Sequence, residues 1–106
     1  MTAQEFFGTK LPGKIASHPE KVAEVGAVFQ FNIDGEGGGQ WTVDAKATPP
    51  SCTPGNRDDA DCTIELDNDT FEKLLENPGL AVTLAFTGKI RVMGDQMLAM
   101  QVAKLL

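Results

Sequence analysis

From Gly26 the chain alternates between apolar and polar side chains, with Ala27, Phe29, Phe31 and Ile33 on one side and Val28, Gln30, Asn32 and Asp34 on the other. A period of two predicts a half-buried strand. Asp34-Gly35-Glu36-Gly37-Gly38-Gly39 predicts a flexible turn, after which Trp41, Val43 and Ala45 alternate with Gln40, Thr42, Asp44 and Lys46. Together they predict a hairpin with one shared apolar face. Cys62, Ile64 and Leu66 against Asp61, Thr63, Glu65 and Asp67 predict a third strand. Ile90, Val92 and Gly94 against Lys89, Arg91 and Met93 predict another. The intervening stretch 47–59 carries Pro49, Pro50, Pro54 and Gly55, which leaves a loop or a broken edge strand.

Elsewhere the period is helical. Residues 6–23 predict short pieces, with Pro12 and Pro19 suited to first turns and Phe6, Phe7, Leu11, Ile15 and Val22 forming a loose apolar face. Asp67 to Asp69 predict a capped helix start, Phe71, Leu74 and Leu75 are spaced i, i+3, i+4, and Asn77-Pro78-Gly79 ends the element. Leu80 to Phe86 is apolar, and Gly94-Asp95 opens a final helix reaching Leu106. On that helix Leu98, Val102, Leu105 and Leu106 fall in an arc of about 100°, with Met97 and Met100 outside it. By itself this pattern favours ordinary core and scattered surface apolars over a binding surface. The order of elements predicts an α+β domain with helices on one sheet face.

Length and charge narrow the options. A chain of 106 residues supports one core, so residues 1–106 are expected to form a single domain. The net charge of −6 is unevenly spread: residues 32–87 hold eleven acids against Lys46, Arg57 and Lys73, whereas Lys89, Arg91 and Lys104 face only Asp95 in the tail. The acidic middle repels phosphate backbones and argues against nucleic acid as a partner. The lack of a long apolar run or a leader-like N-terminus leads to the expectation of a soluble, intracellular protein.

No constellation of residues supplies catalytic chemistry. Cys52 and Cys62 have no second pair or histidine beside them, so a zinc site is not expected and two reduced thiols are. Glu65, Asp67, Asp69 and Glu76 fit positions of a calcium loop, but Thr70 stands where its turn needs glycine. Residues 35–39 are followed by a strand rather than a helix, unlike a dinucleotide-binding loop. His18 lies in a polar segment without a partner, and the acids of the strands all fall on the polar side of the alternation. A catalytic carboxylate would need burial to raise its pKa.

Several stretches, in order and spacing, carry a resemblance over residues 6–106. They are Gly26-Ala27-Val28-Phe29-Gln30-Phe31-Asn32-Ile33, Gln40-Trp41-Thr42-Val43-Asp44, Ala60-Asp61-Cys62-Thr63-Ile64, Phe86-Thr87-Gly88-Lys89-Ile90-Arg91-Val92, Gly94-Asp95 and Leu98-Ala99-Met100. The chain resembles the sterol carrier protein type 2 family of lipid-binding domains. The resemblance implies a five-stranded mixed, largely antiparallel sheet, with helices on one face enclosing a hydrophobic tunnel. It implies a non-catalytic carrier, without cofactor or metal, of fatty acids, fatty acyl-CoA, sterols or phospholipids, with transient membrane contact. By position it places Phe86, Ile90, Met97, Leu98, Met100 and Val102 near the ligand, together with Phe71, Leu75, Leu80 and Leu84. The alternative is a docking or regulatory module for a lipid-metabolising enzyme. The terminal Ala103-Lys104-Leu105-Leu106 is not a Ser-Lys-Leu-type signal, so a cytoplasmic rather than peroxisomal location is expected.

Overall fold

Strands β1 (Val28–Asp34) and β2 (Gly39–Asp44) form the expected hairpin, with Phe31 opposite Trp41. A Cβ on Gly38 would strike the Ile33 carbonyl, so the turn requires glycine there. These coordinates come from a computed structural model that describes residues 1–101, apart from the side chain of Val82, and Leu105. β3 (Ser51–Pro54) pairs with the outer side of β2, and its proline is tolerated because the strand lies at the sheet edge. β4 (Cys62–Asp67) runs parallel to β1, and β5 (Arg91–Gly94) closes the other edge antiparallel to β4. The order β3-β2-β1-β4-β5 is the expected five-stranded mixed sheet. Its register aligns Trp41, Phe31, Ile64 and Val92 across one face.

Helices cover that face in two unequal halves. α1 (Ala3–Glu5), a π-helical turn (Phe6–Lys10), α2 (Leu11–Ser17) and α3 (Pro19–Ala23) form the N-terminal part. The face expected to be loose is tightly buried: Phe6, Phe7, Leu11 and Val22 lie within the core. The wider π turn reduces the angle between neighbouring side chains, so both phenylalanines turn inward. Phe7 stacks on Trp41 at 4.8 Å between ring centroids and meets Phe31 at 5.0 Å and Phe71 at 5.5 Å. This half is filled by aromatic rings.

The other half is roofed by α4 (Asn68–Glu76), α5 (Ala81–Phe86) and α6 (Gln96–Ala99). Asp67 caps α4 by accepting from the Thr70 N–H at 2.7 Å, as its position at the strand end predicts. α6 is a short helix continued by one 3₁₀ turn through Gln101, and the remainder of the predicted final helix, Leu105 excepted, lies outside the described residues. Leu105 is buried in the core. No described helix is long and apolar enough to cross a membrane.

One expectation is corrected on the opposite sheet face. Val28, Gln30 and Thr42 are buried rather than exposed, because residues 55–61 cross over them. The Gln30 carboxamide accepts from the Thr42 hydroxyl at 2.7 Å and the Arg57 N–H at 3.2 Å, and donates to the Gly55 carbonyl at 3.1 Å. Arg57 fastens the same loop to Asp44 at 2.9 Å. Hydrogen bonding therefore lets polar positions of the alternation go under cover.

Candidate functional site

The C-terminal half of the helical layer is thin because its helices are short. Asn77 accepts from the Gly79 N–H at 3.2 Å in the turn that leads into α5, which is six residues long and ends before Gly88 at φ +77°. β5 returns along β4 and stops at Gly94, where φ is +88° and a Cβ would lie 2.6 Å from the Asp61 carbonyl oxygen. Asp95 then caps α6, accepting from the Met97 N–H at 3.0 Å. These caps fix α5 and α6 above the β4–β5 side of the sheet.

A cavity of about 510 Å³ lies beneath them. Ile64, Leu74 and Ile90, all buried, form its floor. Half-buried Ala81, Val92 and Ala99 stand on its walls, and exposed Ala85, Phe86, Gln96 and Met100 form its rim. Three of the roof residues are alanines, so the helices span the space without filling it. The cavity is a groove open at the rim, within the size range of small-ligand sites of roughly 300–1,000 Å³. Every described lining side chain except Gln96 is apolar.

The residues expected near the ligand are distributed unevenly around it. Phe86, Ile90 and Met100 line the groove. Phe71 belongs to the aromatic cluster under the N-terminal helices. Leu75, Leu84 and Leu98 pack half-buried against the core and are not among the lining residues. Leu80 is half-buried in the turn before α5, and Met97 points to solvent with 80% of its surface exposed. Val102 lies outside the described residues.

Sequence reasoning missed Ile64, Leu74 and Val92, although their strand and helix periods placed all three on the apolar side. It also missed Ala81, Ala85, Ala99 and Gln96. An alanine that leaves a space has no pattern of its own in a sequence.

Several titratable groups are held in structural contacts. Asp44 is held below the usual carboxylate range by Arg57, Asp61 by the Val28 N–H and Lys46, and Asp67 by Thr70. These shifts oppose the rise that a general acid requires. Burial pushes the thiols of Cys52 and Cys62 up to about 11, leaving both protonated and weakly nucleophilic. Lys89 and Arg91 face a separate polar cleft of about 180 Å³ with Asp34, Glu65 and Asp67, on the side of β5 opposite Ile90 and Val92. Among the described residues no cluster of three or more His, Cys, Asp or Glu side chains could hold a metal ion.

The profile of the SCP-2 sterol transfer family matches residues 9–106. The chain is 33% identical to human (Homo sapiens) sterol carrier protein 2 over 87 residues, 79% of this chain and 16% of that protein. It is 35% identical to the Bos taurus hydroxysteroid dehydrogenase-like protein 2 over 82 residues, 76% of this chain and 19% of that protein. It thus spans less than a fifth of the length of these relatives. The apo sterol carrier protein 2 of Yarrowia lipolytica superposes with a TM-score of 0.71 at 26% identity, covering 96% of this chain and 81% of that one. A palmitated SCP2L2 protein of Aedes aegypti superposes with a TM-score of 0.70 at 26% identity, covering 99% and 94%. A profile match over nearly the whole chain, on the same five-stranded fold, means that this chain belongs to the SCP-2 sterol transfer family of lipid-binding domains.

Proposed function

We propose that residues 1–106 act as one lipid carrier that holds its ligand in the groove under α5 and α6 and performs no reaction on it. The observation that carries this reading is the apolar lining of a 510 Å³ space left open on a folded core. An open groove lined almost wholly by apolar side chains exposes apolar surface to water, and an apolar occupant would bury it. Each methylene moved from water into it contributes about 0.8 kcal/mol, which favours affinity over selectivity among chains. The palmitated Aedes aegypti relative supports a fatty acyl chain as one such occupant. Fatty acids, fatty acyl-CoA, sterols and phospholipids all present the required apolar body.

Phe86 and Met100 on the rim, 87% and 74% exposed, and nearby Met97 provide the apolar surface that meets a bilayer during transfer. Met side chains adapt to differently shaped apolar partners. Cys52 and Cys62 are free thiols, the form a reducing compartment maintains.

Native mass spectrometry of the purified protein, followed by titration with a fluorescent fatty-acid analogue, tests the reading. A co-purified lipid or saturable uptake of the analogue is expected. A protein that is empty and takes up none of the analogue would instead favour the docking-module alternative.

A further inference from the structure

We infer that Gln96 is the positioning residue of the groove, holding the polar end of the bound lipid at the rim so that the chain enters tail first. This rests on the proposed lipid-carrying role. Burial around the cavity is graded: Ile64, Leu74 and Ile90 on the floor are buried, while Phe86, Gln96 and Met100 at the rim are exposed. Apolar walls contribute affinity in proportion to area and do not distinguish one end of an amphiphile from the other. Orientation needs a polar group, and among the described lining residues Gln96 is the single one.

Its position suits that role. Gln96 is the first residue of α6, directly after the Asp95 cap, so its backbone is held while its side chain stays available. The carboxamide makes no hydrogen bond to another described residue. A primary amide offers two N–H donors and one carbonyl acceptor, so it can donate to a carboxylate and both donate to and accept from a hydroxyl. At an exposed rim the head group keeps part of its hydration, so holding it there does not require burying a charge. The ligand class is therefore a single-headed amphiphile with a hydroxyl or carboxyl end.

The test measures displacement of a bound fluorescent probe by 1-dodecanol, laurate and dodecane, using the wild-type chain and the Gln96→Leu and Gln96→Glu variants. Gln96→Leu is expected to weaken dodecanol and laurate by about 3- to 10-fold, the loss of one hydrogen bond, while dodecane changes by less than about twofold. Gln96→Glu is expected to retain dodecanol and lose laurate at neutral pH through like-charge repulsion. Equal changes for dodecane and dodecanol, or no change for any of the three, would overturn the role of Gln96 while leaving the groove as the lipid site. If the wild-type chain binds none of the three, the carrier reading itself fails. Unchanged melting temperatures establish that the exposed substitutions leave the fold intact.

Discussion

The Thr42 hydroxyl donates to the Gln30 carboxamide oxygen at 2.7 Å across the β1–β2 pair, where both residues are only 1% exposed. This contact sits on the sheet face away from the groove, under the loop that Arg57 ties to Asp44. Two polar side chains thereby become interior on the face opposite the groove.

Replacing Gln30 with leucine keeps much of the volume but leaves the Arg57 N–H without its acceptor and the Thr42 hydroxyl with only the longer contact to the Gly55 carbonyl at 3.2 Å. An unsatisfied buried polar group costs about 1–3 kcal/mol, and urea unfolding is expected to show a loss of that size. Affinity for an acyl probe should be unaffected, since the contact lies on the opposite face from the cavity. A variant that unfolds normally but binds weakly would contradict that separation.

Filling the groove should separate binding from stability in the other direction. Ala99 stands half-buried on the groove wall, so Ala99→Trp puts an indole into space that a lipid would occupy. Excluding only two methylenes of the ligand amounts to about a tenfold loss of affinity. Leu98→Arg acts differently because Leu98 packs against the core beside the groove. Its expected effect is a stability loss of about 2–4 kcal/mol, read from denaturant midpoints, with any binding defect following from unfolding.

Acid should weaken the fold. Asp44, Asp61 and Asp67 have folded pKa values below those of the unfolded chain, through Arg57, the Val28 N–H with Lys46, and Thr70 respectively. Groups depressed in this way stabilise the fold fully above their unfolded values, near pH 4, and that stability is lost as pH falls through the folded values. Melting temperature is therefore expected to be flat from neutral pH down to about 5 and to drop below about 4. Asp61→Asn should flatten the drop while lowering the plateau, because the asparagine still reaches the Val28 N–H but no longer pairs with Lys46.

Thiol labelling reports the same packing. With both thiols raised to about 11 by burial, native protein at pH 8 should react slowly with an aromatic disulfide reagent, and Cys62, which is fully buried, more slowly than Cys52. Both should react rapidly in urea. Fast stoichiometric labelling of Cys62 in the native protein would show that β4 is less protected than its position between β1 and β5 implies.

The sheet was legible because a strand writes its two faces directly into the sequence. Ala27 to Asp34, Trp41 to Ala45 and Cys62 to Leu66 alternate with a period of two, and all became strands of one sheet with a shared apolar face. Caps such as Asp67 were equally readable, since they act on a backbone N–H three residues away. The resemblance placed Phe86, Ile90 and Met100 near a ligand and these line the groove, whereas Phe71, Leu75, Leu80, Leu84, Met97 and Leu98, expected there on the same ground, do not.

Only the tertiary structure decided which apolar residues fill space and which surround it. Phe71 and Leu74 lie three apart on one helix, yet Phe71 joins the rings of Phe6 and Phe7 while Leu74 faces the cavity. Periodicity reports that a side chain points inward. Whether it finds a partner there depends on elements distant in the chain, here aromatic rings from the N-terminal helices on one side and the alanines of α5 and α6 on the other. The same reason hid Gln30 and Thr42: their polarity predicted solvent, and a loop more than ten residues further along the chain supplied the hydrogen bonds that let them be buried.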